Sequence, residues 1–164
     1  MIPIGMRWKQ ITQNSLFGWH DNAVYDSRNK AVIVFGTDAN ANDIVVYRPA
    51  KAEHVKMPTP GKRPPKDQHN PMCFDPEAGL TAVLVDRVPE DKTVKPSAET
   101  WLYDLATDSW LQLQTATLPF TLGMNYCMEY DPCHKICILA AMAPDEKGSA
   151  LSVFALKIDA TQIK

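Results

Sequence analysis

An all-β fold is what this 164-residue sequence predicts, on three observations. Short runs rich in Val, Ile, Leu, Tyr and Phe are separated by clusters of Pro, Gly, Asn, Asp and Lys. That is the pattern of strands joined by turns. No stretch sustains the 3.6-residue apolar period of a helix. Thirteen prolines against seven glycines fit a loop-rich β protein. The third observation is that the chain repeats itself.

The phrase "HDNAVYDSRNKAVIVFG" recurs as "HNPMCFDPEAGLTAVLV" and as "NYCMEYDPCHKICILAA". Aligned on an aromatic–Asp pair, Tyr25-Asp26 falls over Phe74-Asp75 and Tyr130-Asp131, at steps of 49 and 56 residues. In each copy a first strand ends at the Asp, and the turns "DSRNK", "DPEAG" and "DPCHK" lead into a second strand. Asp starts such a turn because its carboxylate accepts from backbone N–H groups within the bend, so these three acids are read as structural. A polar loop of variable length follows. A third strand then comes in "DIVVYR", "TWLYDL" and "LSVFALKI", carrying the aromatic Tyr47, Tyr103 or Phe154. Copies one and two add a fourth strand, "EHVKMP" and "SWLQLQ". Copy three stops after its third. The amino terminus offers a lone strand, "MRWKQIT", in which Trp8 aligns with Trp110 and Gln10 with Gln112.

Four strands per unit at a period near 50 residues is the signature of β-propeller blades, which bury their faces only by stacking around an axis. The stretch "AETWLYDLATDSWLQL" resembles the second half of a kelch repeat, the type also found in the central domain of galactose oxidase-like proteins. Trp101, Tyr103, Asp108 and Trp110 carry the likeness. The paired glycines of that family are absent: copy one keeps only Gly36, copy two reads "VDR" and copy three "AAM". The expected organisation is a single β-propeller domain over residues 1–164. Its blades fall at about residues 19–58, 69–115 and 125–159, the last completed by residues 5–12. Three blades fall short of the usual ring of about 4–8. The expected solution is a homodimer in which two chains form one six-bladed ring, with a piece of a longer propeller and a closed three-blade form as the alternatives.

Composition narrows the function classes. A formal charge of −2 gives no global field toward nucleic acid or an acidic membrane, so neither is an expected partner. No window approaches the apolar length of a membrane span, and "MIPIGMRWKQ" has no signal-peptide core, so a cytoplasmic location is the default expectation. Cys73, Cys127, Cys133 and Cys137 are too few and too unevenly placed for a disulfide scaffold. Their spacing with His134 matches no tight zinc knuckle, and they are read as reduced thiols packed as small hydrophobes.

Chemistry on such a fold belongs at the mouth of the central channel, where the innermost strands begin. Five residues before each aromatic stand His20, His69 and Asn125. Imidazoles converging on a water-filled funnel suit a divalent metal ion, held by His20 and His69, or an anionic ligand. The plainer alternative is a structural histidine bonded to a neighbouring loop. Asp21 is the only carboxylate adjacent to His20. Glu129 takes the innermost-strand position that Val24 and Cys73 hold in the other copies, and an acid there must face the channel or find a partner. Asp21 and Glu129 are therefore the candidate catalytic bases. Trp19 offers a flat platform for a sugar ring or peptide, and Arg63 and Lys66 add positive charge that favours a carboxylate or phosphate.

These residues fit a ligand-binding module for a glycan, a peptide or an anionic small molecule. They also fit a metal-dependent lyase or hydrolase using the rim histidines, and a structural assembly unit. The fold alone does not choose among the three. The oxidase chemistry of galactose oxidase relatives is disfavoured, because no Tyr, His and Cys set can be matched residue by residue. Phosphate-loop glycines, a "GxSxG" elbow and an "HExxH" helix are all missing.

Overall fold

A computed structural model of the chain describes residue 10 and residues 22–36, 42–67 and 69–163. Among the described residues eleven strands form three antiparallel sheets, with no α-helix and two short 3-10 turns at Pro49–Lys51 and Ala160–Gln162. No helix among them is long and apolar enough to cross a membrane. The first sheet runs β1 (Asn22–Asp26), β2 (Ala31–Phe35), β3 (Val45–Arg48), β4 (Glu53–Lys56). The second runs β5 (Met72–Asp75), β6 (Leu80–Arg87), β7 (Ser97–Asp104), β8 (Ser109–Leu118). The third holds β9 (Tyr126–Asp131), β10 (Ile136–Asp145) and β11 (Gly148–Leu156), with β10 in the middle.

Each sheet is a meander of sequential strands, and in each the first two strands are joined by a tight turn. The three aligned acids make those turns. The Asp26 carboxylate accepts from Asn29 N–H at 2.8 Å, Asp75 from Glu77 and Ala78 at 2.8 and 3.1 Å, and Asp131 from Cys133 at 2.8 Å. The bonds from the His134 side chain and from Cys133 N–H hold the Asp131 carboxyl below its ordinary value. Each turn closes on a left-handed residue: Lys30, Gly79 and Lys135. Gly79 also makes room for a neighbour. The Arg28 guanidinium crosses it to reach the carbonyls of Pro76, Glu77 and Ala78, and a Cβ on Gly79 would lie 1.8 Å from Arg28 Nη1.

Alternation along the strands gives every sheet two faces. We call the face toward the following sheet leading and the face toward the preceding sheet trailing. The leading face of the first sheet (Val24, Ala31, Ile33, Phe35, Val46) meets the trailing face of the second (Met72, Val83, Val85, Trp101, Tyr103, Trp110) in one apolar cluster. Trp110 sits at its centre, with ring centroids 5.1 Å from Phe35, 4.9 Å from Tyr103 and 6.5 Å from Trp101. Tilted and edge contacts of this kind add to the area they bury. The leading face of the second sheet (Cys73, Ala82, Leu84, Leu102) packs on the trailing face of the third (Met128, Tyr130, Cys137, Leu139, Phe154). The first strands of the three sheets, β1, β5 and β9, lie side by side in that order.

Two carboxylates tie the connecting segments to the second sheet. Asp108 accepts from Thr59 N–H, Thr59 Oγ1 and Tyr103 Oη, each at 2.7 Å. Burial, with the nearby Asp108 carboxylate, pushes the Tyr103 phenol above its ordinary value. Asp86 accepts from Leu122 and Gly123 N–H at 2.8 and 2.9 Å.

Two sequence expectations change in detail. Cys73 and Cys137 are buried as expected, but Cys127 and Cys133 are exposed, because they fall on the open face of β9 and in its turn. Tyr47 and Tyr103 pair with the residues opposite Tyr25 and Phe74, yet the equivalent position on β11 is Leu156, not Phe154. The offset is two residues, so Phe154 stays on the trailing face. The strand expected over residues 5–12 lies outside the described residues apart from Gln10.

Asp108 gives the first prediction. Asn tolerates the left-handed backbone at this position (φ 50) but turns an amide N–H₂ against a donor. Asp108→Asn should lower the unfolding free energy by about 1–3 kcal/mol. Urea denaturation would show an earlier midpoint at unchanged slope, and an unmoved midpoint would contradict this role.

Candidate functional site

Two concave regions lie where the sequence directs attention. One runs along the first strands of the three sheets, a cleft of about 400 Å³ walled by Ala23, Val24 and Tyr25 of β1, Met72, Cys73 and Phe74 of β5, and Met128, Glu129 and Tyr130 of β9. Glu129 is on the wall of this cleft and exposed, and the register of β9 places it on the same sheet face as Ile138. The Cys137 thiol beside Cys73, together with burial, pushes the Cys73 thiol far above its ordinary value, so it stays protonated.

The second region lies at the end of the second sheet where β6 finishes and β7 starts, with the segment 62–65 folded over it. This cleft of about 390 Å³ is walled by Lys62, Arg63, Pro65, Arg87, Glu99, Trp101 and Gln112. Its organising group is the Glu99 carboxylate, which is 6% exposed. Oε1 pairs with Arg87 Nη1 at 2.6 Å, while Oε2 accepts from Gln112 Nε2 at 2.9 Å and Trp101 Nε1 at 3.2 Å. Gln112 Oε1 in turn accepts from Lys62 Nζ at 2.8 Å, and the same ammonium stands 5.2 Å from the Trp101 ring centroid.

The other candidates fall as follows. His69 lies three residues before β5, half-buried and left-handed (φ 58). Asn125 directly precedes β9 and is exposed. Both stand at strand starts, and neither is on the wall of either cleft. Arg63 lines the second cleft but is engaged elsewhere: Nε donates to Thr59 O at 2.7 Å, Nη2 to Pro58 O, and Nη1 lies 3.5 Å from Asp43. Lys66 is exposed and outside the cleft. Trp19, His20 and Asp21 lie outside the described residues. Among the described residues no three His, Cys, Asp or Glu side chains converge as a metal-binding set.

Sequence reasoning missed Glu99. The signal was present: Glu99 shares the alternation of Trp101 and Tyr103, which places an acid on a buried face, the argument that singled out Glu129. No family model and no curated protein matches this chain.

Burial separates the two partners of the ion pair energetically. Glu99→Ala leaves the Trp101 and Gln112 donors without an acceptor and should cost about 1–3 kcal/mol. Arg87 is 62% exposed, so Arg87→Ala should cost less than about 1 kcal/mol. Thermal unfolding of the two variants checks the ranking, and the reverse order would contradict this description of the cleft.

Proposed function

We propose that this chain is a ligand-binding module of β-propeller type that takes a small anionic molecule in the cleft around Glu99. Three features support the propeller part of the reading. The sheets are meanders, they stack leading face on trailing face in chain order, and their first strands adjoin. In this reading the sheets are blades.

One observation carries the ligand. Lys62 and Arg87 flank one carboxylate in the cleft, with Arg63 on its wall but held by Thr59, Pro58 and Asp43. Glu99 engages a single Arg87 nitrogen, leaving the rest of that exposed guanidinium and two ammonium protons of Lys62 for an incoming anion. Carboxylate or phosphate matches such donors better than a neutral sugar does. Trp101 is buried beneath Lys62, so it supports the ammonium and offers no stacking platform. The proposed ligand thus sits beside the second blade at the rim, not on the axis.

Isothermal titration calorimetry with succinate and inorganic phosphate, and glucose as the neutral control, tests this reading. Saturable binding of at least one anion is expected, weakening as salt rises. Lys62→Ala and Arg87→Ala should each lower its affinity about tenfold or more. Absence of anion binding up to about 10 mM, or binding indifferent to both substitutions, would overturn it.

A further inference from the structure

Two buried thiols meet where the second sheet packs on the third. Cys73 lies on the leading face of β5 and is 2% exposed; Cys137 lies on the trailing face of β10 and is 1% exposed. The two strands approach each other directly, and the thiols stand side by side. Ala82, Leu102, Ile158 and the partly buried Met128 pack around them. The repeat sets this pair apart from its counterpart one sheet earlier. By register Cys73 takes the place that Val24 holds on β1, and Cys137 pairs with Tyr130 as Thr81 pairs with Phe74. The first contact between sheets thus brings Val24 and Thr81 to the positions where the second brings two cysteines.

We infer that Cys73 and Cys137 are a reversible redox modification site, closing to a disulfide that ties the second sheet to the third. The oxidant it takes is a small hydroperoxide, hydrogen peroxide in the simplest case, because Cys73 lines the cleft along β1, β5 and β9. The Cys73 sulfur attacks the O–O bond; an S–O bond forms, the O–O bond breaks and water leaves, giving a sulfenic acid. The Cys137 sulfur then attacks that sulfur; the S–S bond forms, the S–O bond breaks and a second water leaves. The two thiols together lose two electrons and two protons, and the peroxide is reduced to two waters. The surroundings favour a disulfide over a bound metal ion. Two thiolates on a metal would need further ligands that the described residues do not bring there, or would leave net charge in an apolar layer. A disulfide is neutral and apolar. The neighbouring Cys137 thiol and burial keep Cys73 protonated, so the link should form slowly beside oxidation of the exposed Cys127 and Cys133. This inference goes beyond the anion cleft and does not depend on it.

The test treats the folded chain with excess hydrogen peroxide, Cys127→Ser and Cys133→Ser having removed the exposed thiols. Its intact mass should fall by two hydrogens, peptide mapping should return a Cys73–Cys137 link, and dithiothreitol should reverse both. The bond joins positions 64 apart in the chain, so the linked form should melt about 5 °C or more above the reduced one. Peptide mapping of the unaltered chain gives the same readout should the double variant fail to fold. Oxidation of Cys73 to a sulfinic acid without the link would overturn the inference. So would thiols that survive the peroxide unchanged, a link that forms only in the urea-unfolded chain, or a linked form that melts below the reduced one.

Discussion

Every sheet in this chain is apolar on both faces, and that constraint governs the rest of the structure. A two-faced sheet is stable only between two neighbours. The second sheet has both: Trp101, Tyr103 and Trp110 press on the first sheet, while Cys73, Ala82 and Leu102 press on the third. Among the described residues it carries the two largest of the fully buried side chains, Trp101 and Tyr103. The connecting segments are bound to it as well, through Asp108 to Thr59 and Asp86 to Leu122. These carboxylates give buried backbone N–H groups the acceptors that a loop cannot supply for itself.

The rim cleft is a by-product of the same stacking. Trp101 must face the first sheet, so alternation puts Glu99 on that face too, one pleat nearer the end of the strand. The apolar layer stops there, and the carboxylate is satisfied by Arg87, Trp101 and Gln112 rather than by water alone. What remains around it is basic. The proposed anion site thus needs no dedicated loop; it uses the edge where an apolar interface gives way to solvent.

The sequence was most informative where local chemistry decides the outcome. Turns opened by Asp26, Asp75 and Asp131 were readable because an Asx bend needs no distant partner. Period-two alternation made the strands readable for the same reason. Less was readable where the outcome depends on contacts between sheets. Cys127 and Cys133 do not differ from the buried thiols in residue type, and the open face of β9 and the turn after it are what expose them. Phe154 was matched to Tyr103 by its aromatic ring, but strand register, which depends on hairpin length, placed Leu156 there. The sequence offers Arg63 only as positive charge, and the folding of residues 57–66 over the second sheet engages its donors with Thr59, Pro58 and Asp43.

The leading-to-trailing contact can be measured at its centre. Phe35 lies on the first sheet and Trp110 on the second, 5.1 Å apart and 75 positions apart in the chain. A double-mutant cycle with Phe35→Leu and Trp110→Phe isolates the energy that passes between the two sheets at this contact. If the sheets hold each other face to face, unfolding of the four proteins in urea should return a coupling of about 0.5–1.5 kcal/mol. Additive effects, with no coupling, would contradict this stacking and leave the three sheets as independent meanders.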